Sequence, residues 1–264
     1  MGQVIAVSVL KGGVAKTATA VNLSCVLAGM GYRTALVDFD PQGDASKCMG
    51  INLTELKYSL FDVFLQEKTM KNIVYKAYGV DVYPAKKDLA GLDRLAEENR
   101  DVYPDHRIML RDTLKTIRDK YDYIFIDLPP SRGPLTINGL TAADKVLIPM
   151  QCEYLATDGV ETMLQEIDQA RKSTNPIIEL LGVLATMYIT GTVLSSDVVQ
   201  ESRKHFFETG VKMFDTVIPR SVRFGDAPRY GKPAIILYPK NDAIRNYVTL
   251  AEEIIALEKE IVAL

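Results

Sequence analysis

The sequence predicts a doubly wound α/β fold, in which helices cover both faces of a mostly parallel β-sheet. Seven apolar runs of strand length recur along the 264 residues, and several are rich in Val, Ile and Leu without alternating with polar residues. Strands covered on both faces of a parallel sheet have this composition. Helical stretches separate the runs, and this alternation indicates right-handed βαβ crossovers. Neither a linker-like segment nor an internal repeat divides the chain, so we expect a single domain over residues 1–264.

The predicted elements alternate along the chain. The predicted strands span residues 4–10, 34–39, 80–83, 123–128, 145–150, 181–187 and 213–218. The predicted helices span residues 17–30, 106–120, 160–172 and 196–209. Residues 52–100 are more polar and less regular, and we expect a helical excursion between strands there. From Ala243 onward, apolar residues fall on one helical face. We expect this face to dock on the sheet, because the other face is mostly acidic and a membrane-surface helix would need basic residues there.

Composition limits the classes of function. Apolar residues make up 47% of the chain, which excludes a disordered protein. The formal net charge of −3 gives no overall cationic field of the kind that histone-like DNA-binding proteins carry. Three cysteines stand far apart without a CxxC pair, which disfavours a disulfide scaffold or a zinc site and fits a reducing compartment. With neither a basic leader nor a run of 18 apolar residues, we expect a cytoplasmic protein without a membrane partner.

A glycine-containing segment, KGGVAKT, follows the first predicted strand and leads directly into a helix. Glycines let consecutive N–H groups point inward, and the helix N-terminus adds the positive end of its dipole, so this loop is predicted to bind phosphate. Lys16 can reach terminal phosphates, and the hydroxyl of Thr17 is placed to ligate Mg²⁺. The usual GxxxxGK[ST] pattern is not met, because Leu10 and Ala15 stand where it has glycines.

Acidic residues follow two further predicted strands. The segment VDFDPQGD brings Asp38 and Asp40 to the carboxyl edge of the sheet beside the loop, and YIFIDLPPS brings Asp127 there. A carboxylate after a buried strand is the expected form of a residue that holds Mg²⁺ through water. The loop and the two acidic strand ends, in this order, predict a phosphate and magnesium site.

Five segments together resemble the ParA/Soj group of P-loop ATPases, which have a deviant Walker A loop: KGGVAKT, DFDPQGD, DLPPS, IPMQCEY and TVIPRSVRFGDAPRYGKP. The resemblance covers nearly the whole chain and is weakest over residues 52–100. It implies a chromosome or plasmid partition ATPase, associated with the nucleoid, that binds ATP and Mg²⁺ and forms a homodimer around two nucleotides. It also implies non-specific binding of double-stranded DNA and slow ATP hydrolysis that a ParB-like centromere-binding protein stimulates.

The resemblance also implies roles for individual residues. Lys11 matches the signature lysine that crosses the dimer interface to the partner's phosphates, and Lys16 matches the phosphate lysine of the same subunit. Asp40 matches the carboxylate that orients or activates the attacking water, and Asp127 matches the acidic switch residue. The implied nucleotide-binding residues are Lys11, Gly12, Gly13, Val14, Ala15, Lys16, Thr17 and Ala18, with Met187, Pro219 and Arg220 near the adenine. The implied Mg²⁺ ligands are Thr17, Asp40 and Asp127.

Two residues of the loop depart from the family pattern. Ala15 replaces a glycine and is tolerable only if its φ is negative, since alanine disfavours left-handed conformations. Ala18 replaces a threonine that would donate to phosphate, which removes one hydrogen bond of about 1–2 kcal/mol. We expect weaker binding or slower turnover than the family norm, but still binding, because the backbone N–H groups, both lysines and Thr17 remain.

Positive charge is concentrated near the end of the chain. Residues 201–245 hold nine basic and five acidic residues, whereas the whole chain is negative. This asymmetry suits a footprint on the phosphate backbone that reads no base sequence, although a solvated basic face would look the same. The proposed DNA-binding residues are Arg220, Arg223, Arg229 and Lys232. An arginine that the family often has near Gly191 is missing here.

Three other functions fit parts of the sequence. A positioning ATPase of the same family could distribute a non-DNA cargo, and its sequence would look alike. A membrane-associated division-site regulator resembling MinD is disfavoured by the acidic terminal helix. A non-catalytic nucleotide-dependent binding module is suggested by Ala15 and Ala18. The dispersed cysteines argue against the related iron–sulfur reductases, and His106 and His205 lack partners at metal-ligand spacing.

Overall fold

An eight-stranded sheet forms the centre of the computed structural model, which describes residues 2–98, 105–153 and 156–262. The strand order is β3-β4-β2-β5-β1-β6-β7-β8, and every neighbouring pair is parallel except β3 and β4. The strands are β1 (Gln3–Val7), β2 (Thr34–Asp38), β3 (Tyr75–Ala77), β4 (Val80–Tyr83), β5 (Tyr123–Asp127), β6 (Lys145–Gln151), β7 (Glu179–Tyr188) and β8 (Met213–Pro219). The predicted mostly parallel α/β sheet is confirmed.

Helices connect these strands. They are α1 (Lys16–Gly29), α2 (Asp44–Cys48), α3 (Leu60–Phe64), α4 (Met70–Ile73), α5 (Leu92–Glu98), α6 (Met109–Lys115), α7 (Pro134–Ala142), α8 (Ala156–Ser173), α9 (Val193–Glu208), α10 (Asp226–Tyr230), α11 (Ala234–Leu237) and α12 (Asp242–Val262). Short 3₁₀ turns cover Lys87–Gly91, His106–Ile108, Arg118–Lys120 and Val222–Gly225.

Apolar side chains of the central strands pack on both faces of the sheet. In β1, Ile5 and Val7 belong to a core cluster with residues of α1 and α12, whereas Val4 and Ala6 belong to a second cluster with residues of α3, α4 and α6. Alternate residues of a strand point to opposite faces, so a strand covered twice must be apolar at every position. This explains why the central strands read as continuous apolar runs.

The structure differs from the prediction in two regions. Residues 52–100 contain short helices but also β3, which pairs antiparallel with β4 at the edge of the sheet. The prediction of a helical excursion was therefore incomplete. It missed β3 because Tyr75 and Lys76 of this three-residue strand are exposed and carry no apolar signal. The predicted helix over residues 106–120 is a 3₁₀ turn, α6 and a second 3₁₀ turn. Amide groups of Thr116 and Ile117 bond three residues back, which tightens the end of α6.

The terminal helix docks on the sheet, as predicted. Ile244, Tyr247, Ala251 and Ile254 of α12 are fully buried. An acidic residue also takes part, because the Glu253 carboxylate accepts hydrogen bonds from the backbone of β8. Over the described residues, we find no helix that is both long and apolar enough to cross a membrane. The cysteines at 25, 48 and 152 are buried and free, in agreement with the expectation that they form no disulfide scaffold.

Candidate nucleotide-binding site

The loop between β1 and α1 has the backbone geometry of a phosphate cradle. Gly13 (φ 76°) and Ala15 (φ 64°) both adopt the left-handed conformation. Alternating left- and right-handed residues turn successive N–H groups toward one side, which makes a concave anion site. The expectation of a negative φ at Ala15 was wrong. The loop keeps its curl even with a methyl group at this position, at a cost of roughly 1–2 kcal/mol for a left-handed alanine.

Helix α1 directs its N-terminus at this loop. The residue before its first turn, Ala15, makes no side-chain capping bond, and the described first turn holds no acidic residue. The first N–H groups of a helix lack partners within the helix, and its dipole is positive at that end. Lys16 begins the helix and is only 8% exposed. The N-terminus of α1 is therefore a favourable binding site for an anionic ligand.

A buried carboxylate lies directly beside the start of α1. The hydroxyl of Thr17 donates to Oδ2 of Asp127 over 2.8 Å. Asp127 is 1% exposed at the end of β5, and its Oδ1 has no hydrogen-bond partner among the described residues. Burial, with a smaller contribution from the charge of Asp38, raises the pKa of Asp127 to about 8. A cation that approaches the free Oδ1 would stabilise the ionised form of Asp127.

Asp38 holds the segment that carries Asp40. It lies opposite Asp127 in the pairing of β2 with β5 and is completely buried. Its carboxylate accepts bonds from the Ser46 hydroxyl (2.6 Å) and amide (2.8 Å), and from the Asp40 amide (3.3 Å). Burial raises the pKa of Asp38 to about 7 against the opposing effect of the bonds from Ser46. Asp38 thus anchors α2 and fixes the turn from which Asp40 reaches the cleft.

Lys16 completes the charge arrangement. Burial lowers the pKa of its ammonium group, while the nearby charges of Asp127 and Asp40 raise it in part. An added phosphate would supply the negative charge that favours the protonated form. The site therefore pairs a partly desolvated cation with two carboxylates at one sheet edge.

The same groups could hold a magnesium ion. The free Oδ1 of Asp127, the Thr17 hydroxyl and the half-buried Asp40 are hard oxygen donors of the kind that Mg²⁺ prefers. The described residues contain no group of three or more His, Cys, Asp or Glu residues that could form an all-protein metal site. Mg²⁺ is usually bound through few protein ligands together with phosphate oxygens and water.

A cleft of about 780 Å³ opens above these residues, which is within the usual size range of small-molecule sites. The residues that line it are 12–18, 40–42, 44, 90, 92, 129–135 and 187. Asp127 lies beneath the cleft, where it bonds Thr17. Sequence reasoning missed the wall formed by Leu92 and by the loop after β5, although the DLPPS motif stands at the start of that loop. It placed Asp38 at this sheet edge but assigned it no individual role.

Some residues expected at the nucleotide lie elsewhere in the single chain. Lys11 is exposed and does not line the cleft. Met187 lines the cleft in a left-handed conformation (φ 55°). Pro219 ends β8, and the amide of Arg220 donates to the carbonyl of Tyr188 over 2.8 Å, but neither residue lines the cleft. Their contacts with adenine stay predictions.

The basic segment after β8 is on the surface. Arg220, Arg223, Arg229 and Lys232 are each at least partly exposed. Arg223 is partly engaged, since it lies 3.7 Å from the carboxylate of Asp226 and its guanidinium stacks over the ring of Tyr238. Exposure makes these four side chains available to a phosphate backbone, and DNA binding by them stays a prediction.

The loop is left-handed at two positions, α1 starts without a cap, and a buried lysine lies beside carboxylates at the sheet edge. These features define the class of protein as a P-loop nucleotide-binding protein. A family model described as an AAA domain matches residues 2–180. The chain is 41% identical over 263 residues to the chromosome partitioning protein ParA of Caulobacter vibrioides, across 98% of this chain and 96% of that protein. It therefore belongs to the ParA/Soj family of partition ATPases.

Two further comparisons agree with this family. The chain is 40% identical over 259 residues to the sporulation initiation inhibitor protein Soj of Bacillus subtilis, across 97% of this chain and 99% of that protein. Its fold is similar to that of cobyrinic acid a,c-diamide synthase from Mycobacterium smegmatis with bound ADP and magnesium. The TM-score is 0.84 at 32% identity, over 98% of this chain and 96% of the other. A protein with this fold thus binds a nucleotide together with magnesium.

Proposed function

We propose that this protein is an ATP-dependent DNA-partition ATPase of the cytoplasm and nucleoid. ATP and Mg²⁺ bind in the cleft and join two copies of the chain, the dimer binds double-stranded DNA without sequence preference, and hydrolysis releases it. A ParB-like centromere-binding protein stimulates the hydrolysis. The observation that carries the proposal is the meeting of Lys16, Thr17 and Asp127 at the uncapped start of α1. Membership of the ParA/Soj family supports the cellular role.

Within one subunit, the loop and Lys16 bind the phosphates. The N–H groups of residues 12–17 donate to the phosphate chain, and Lys16 adds its ammonium group at the terminal phosphates. Asp40 orients the attacking water, because it reaches the cleft from a turn that Asp38 fixes. Its Oδ1 also accepts a bond from the Gln42 amide, which limits its rotation.

Magnesium is the proposed cofactor. When bound, Mg²⁺ would neutralise negative charge on the phosphate oxygens. Thr17 and Asp127 would hold it near the loop, and Asp40 would do so from the segment after β2. The unpartnered Oδ1 of Asp127 supports this assignment.

Lys11 acts on the nucleotide of the partner subunit. The exposure of Lys11 outside its own cleft supports this role, since a residue that serves the other subunit needs free reach. A positive charge delivered to the transferred phosphoryl group stabilises its transition state. Hydrolysis then requires two subunits, which links the ATP cycle to dimerisation.

DNA binding depends on the dimer. One chain presents a short basic segment with Arg220, Arg223, Arg229 and Lys232, against a chain charge of −3. Two such segments brought to one side double the number of phosphate contacts, and affinity rises steeply with that number. ATP therefore gates DNA binding by selecting the dimeric state.

Light scattering tests the proposed cycle. We expect the mass of a monomer with ADP, the mass of a dimer with ATP and Mg²⁺, and retention of duplex DNA with ATP only. Duplexes of unrelated sequence should bind alike. A monomeric mass with ATP, with DNA affinity independent of the nucleotide, would contradict the proposal.

A further inference from the structure

The loop after β5 brings an arginine to the nucleotide cleft. Arg132 lines the cleft with its neighbours Ser131 and Gly133 and with the phosphate loop. Among the described residues that line the cleft, Lys16 and Arg132 are the two with cationic side chains. Lys16 belongs to the phosphate loop, whereas Arg132 has no role in the proposed mechanism. An arginine fork is well suited to bind phosphate oxygens.

The guanidinium of Arg132 is held by a residue outside the cleft. Its Nε lies 3.0 Å from Oε1 of Glu166 in α8, and Glu166 does not line the cleft. The Glu166 side chain is 17% exposed and the Arg132 side chain 60% exposed, so the arginine is the freer partner. An ion pair with one largely exposed partner is weak, and a stronger anion can replace the carboxylate.

The backbone on each side of Arg132 has an anchor. The Thr136 hydroxyl donates to the carbonyl of Ser131 over 2.5 Å, and Pro134 begins α7 two residues after Arg132. A change of partner for Arg132 therefore needs rotation of its side chain and no rearrangement of the loop. The arginine can turn from α8 toward the cleft that it lines.

We propose that Arg132 binds the terminal phosphate of ATP in the cleft of its own subunit, and that Glu166 competes for it and limits the basal rate of hydrolysis. The inference rests on the proposed ATPase function. The γ-phosphate of ATP carries charge that ADP lacks at this position, and that charge is spread over three oxygens as the phosphoryl group leaves. A guanidinium at this point stabilises the transition state, while the carboxylate of Glu166 draws it away.

Three variants of the full chain test the proposal: Arg132→Ala, Glu166→Gln and the double variant. Turnover of ATP is measured with DNA present, and affinity is measured with fluorescent analogues of ATP and ADP. Arg132→Ala should lower turnover at least about tenfold and weaken the ATP analogue more than the ADP analogue. Glu166→Gln should raise turnover about two- to fivefold, the range expected for loss of a partly exposed ion pair. The double variant should behave like Arg132→Ala.

The control is Asp168→Asn, which removes a carboxylate from the same helix. Asp168 pairs with Lys172 away from the cleft lining, so its loss should leave turnover unchanged. Unchanged turnover in Glu166→Gln, or equal loss of ATP and ADP affinity in Arg132→Ala, would overturn the proposal. If the unmodified protein binds both analogues but never hydrolyses ATP, the proposed function fails, and the ratio of the two affinities still decides whether Arg132 meets the terminal phosphate.

Discussion

At the scale of single residues, the most informative position is Ala15. An alanine at φ 64° indicates that the curl of the loop is imposed by its surroundings and does not depend on glycine. Ala15→Gly should therefore raise the free energy of unfolding by about 0.5–1 kcal/mol, because glycine adopts this conformation without strain. Urea unfolding measures the change.

Ala18→Gly provides the matched control for that prediction. Ala18 lies in the right-handed first turn of α1, where glycine is less favourable than alanine. Each substitution removes one methyl group, and we expect the two changes in the free energy of unfolding to have opposite signs. A loss of stability in Ala15→Gly as well would mean that the methyl group of Ala15 makes contacts worth more than its backbone strain.

The two lysines of the loop should separate binding from chemistry. Lys16→Ala should weaken a fluorescent ATP analogue by about 10- to 100-fold, the usual loss for a charge-assisted hydrogen bond of about 1.5–3 kcal/mol, and should lower turnover too. Lys11→Ala should leave the affinity of the analogue nearly unchanged, because Lys11 does not line its own cleft, but abolish stimulated hydrolysis. Equal loss of affinity in both variants would mean that Lys11 serves its own subunit.

At the scale of elements, the predictable parts of the site are those that the central strands position. β1, β2 and β5 are covered on both faces, so their composition reveals them, and Lys16, Asp40 and Asp127 follow at their carboxyl ends. The other wall of the cleft was not predictable. Leu92 reaches it from a region of short helices whose placement depends on packing against distant strands, and such packing leaves no periodic signal.

The backbone conformation of Ala15 could not be predicted from the sequence either. The left-handed Ala15 depends on the path of the chain between β1 and α1, and intrinsic preference argued for the opposite sign of φ. The pairing of Arg132 with Glu166 joins residues from two distant segments and could not be read from either. Local sequence specifies elements and their ends, whereas contacts between elements decide which side chains meet.

Helix α12 contains a carboxylate that should make stability depend on pH. The Tyr123 hydroxyl donates to Glu258, and burial raises the pKa of that carboxyl above its usual value. The folded state therefore favours the protonated form, and this stabilisation is complete below the pKa of the unfolded chain and is lost as pH rises through the folded value. Glu258→Gln should raise the melting temperature at pH 7.5 and change it little at pH 4.

Glu252→Gln is the control for this effect. Glu252 lies on the exposed side of the same helix, so neutralising it removes the same charge without relieving burial. Its melting temperature should change little at either pH. A Glu258→Gln protein that is less stable at pH 7.5 would show that the hydrogen bond from Tyr123 outweighs the cost of the buried charge.

At the scale of the whole molecule, the uneven distribution of charge predicts salt-sensitive DNA binding. Arg223→Glu should weaken the binding of duplex DNA in the presence of ATP. The slope of log affinity against log salt concentration should become shallower by about one for each phosphate that Arg223 neutralises. ATP affinity should be unaffected, because Arg223 does not line the cleft. Fluorescence anisotropy over a salt series measures the affinity and its slope.

A charge reversal far from this segment separates the footprint from a general charge effect. Arg94 in α5 is largely exposed and pairs only weakly with Glu98, so Arg94→Glu changes the net charge equally. It should leave DNA affinity nearly unchanged at physiological salt. If Arg94→Glu and Arg223→Glu weakened DNA binding alike, the basic segment would have no special position in the complex.

In the Asp40→Ala variant, the ATP cycle of the dimer should stop before hydrolysis. Thr17 and Asp127 remain as proposed ligands, so Asp40→Ala should still bind ATP and Mg²⁺. Without the carboxylate that orients water, it should lose about 10²–10⁴-fold in turnover and accumulate as a dimer on DNA. Asp44→Ala is the comparison, because Asp44 also lines the cleft but its carboxylate pairs with Lys47 over 2.8 Å. Light scattering should find a lasting ATP-dependent dimer for Asp40→Ala, whereas Asp44→Ala should cycle. A monomeric Asp40→Ala protein with ATP would mean that Asp40 is needed to close the dimer, and hydrolysis would then not be the step that opens it.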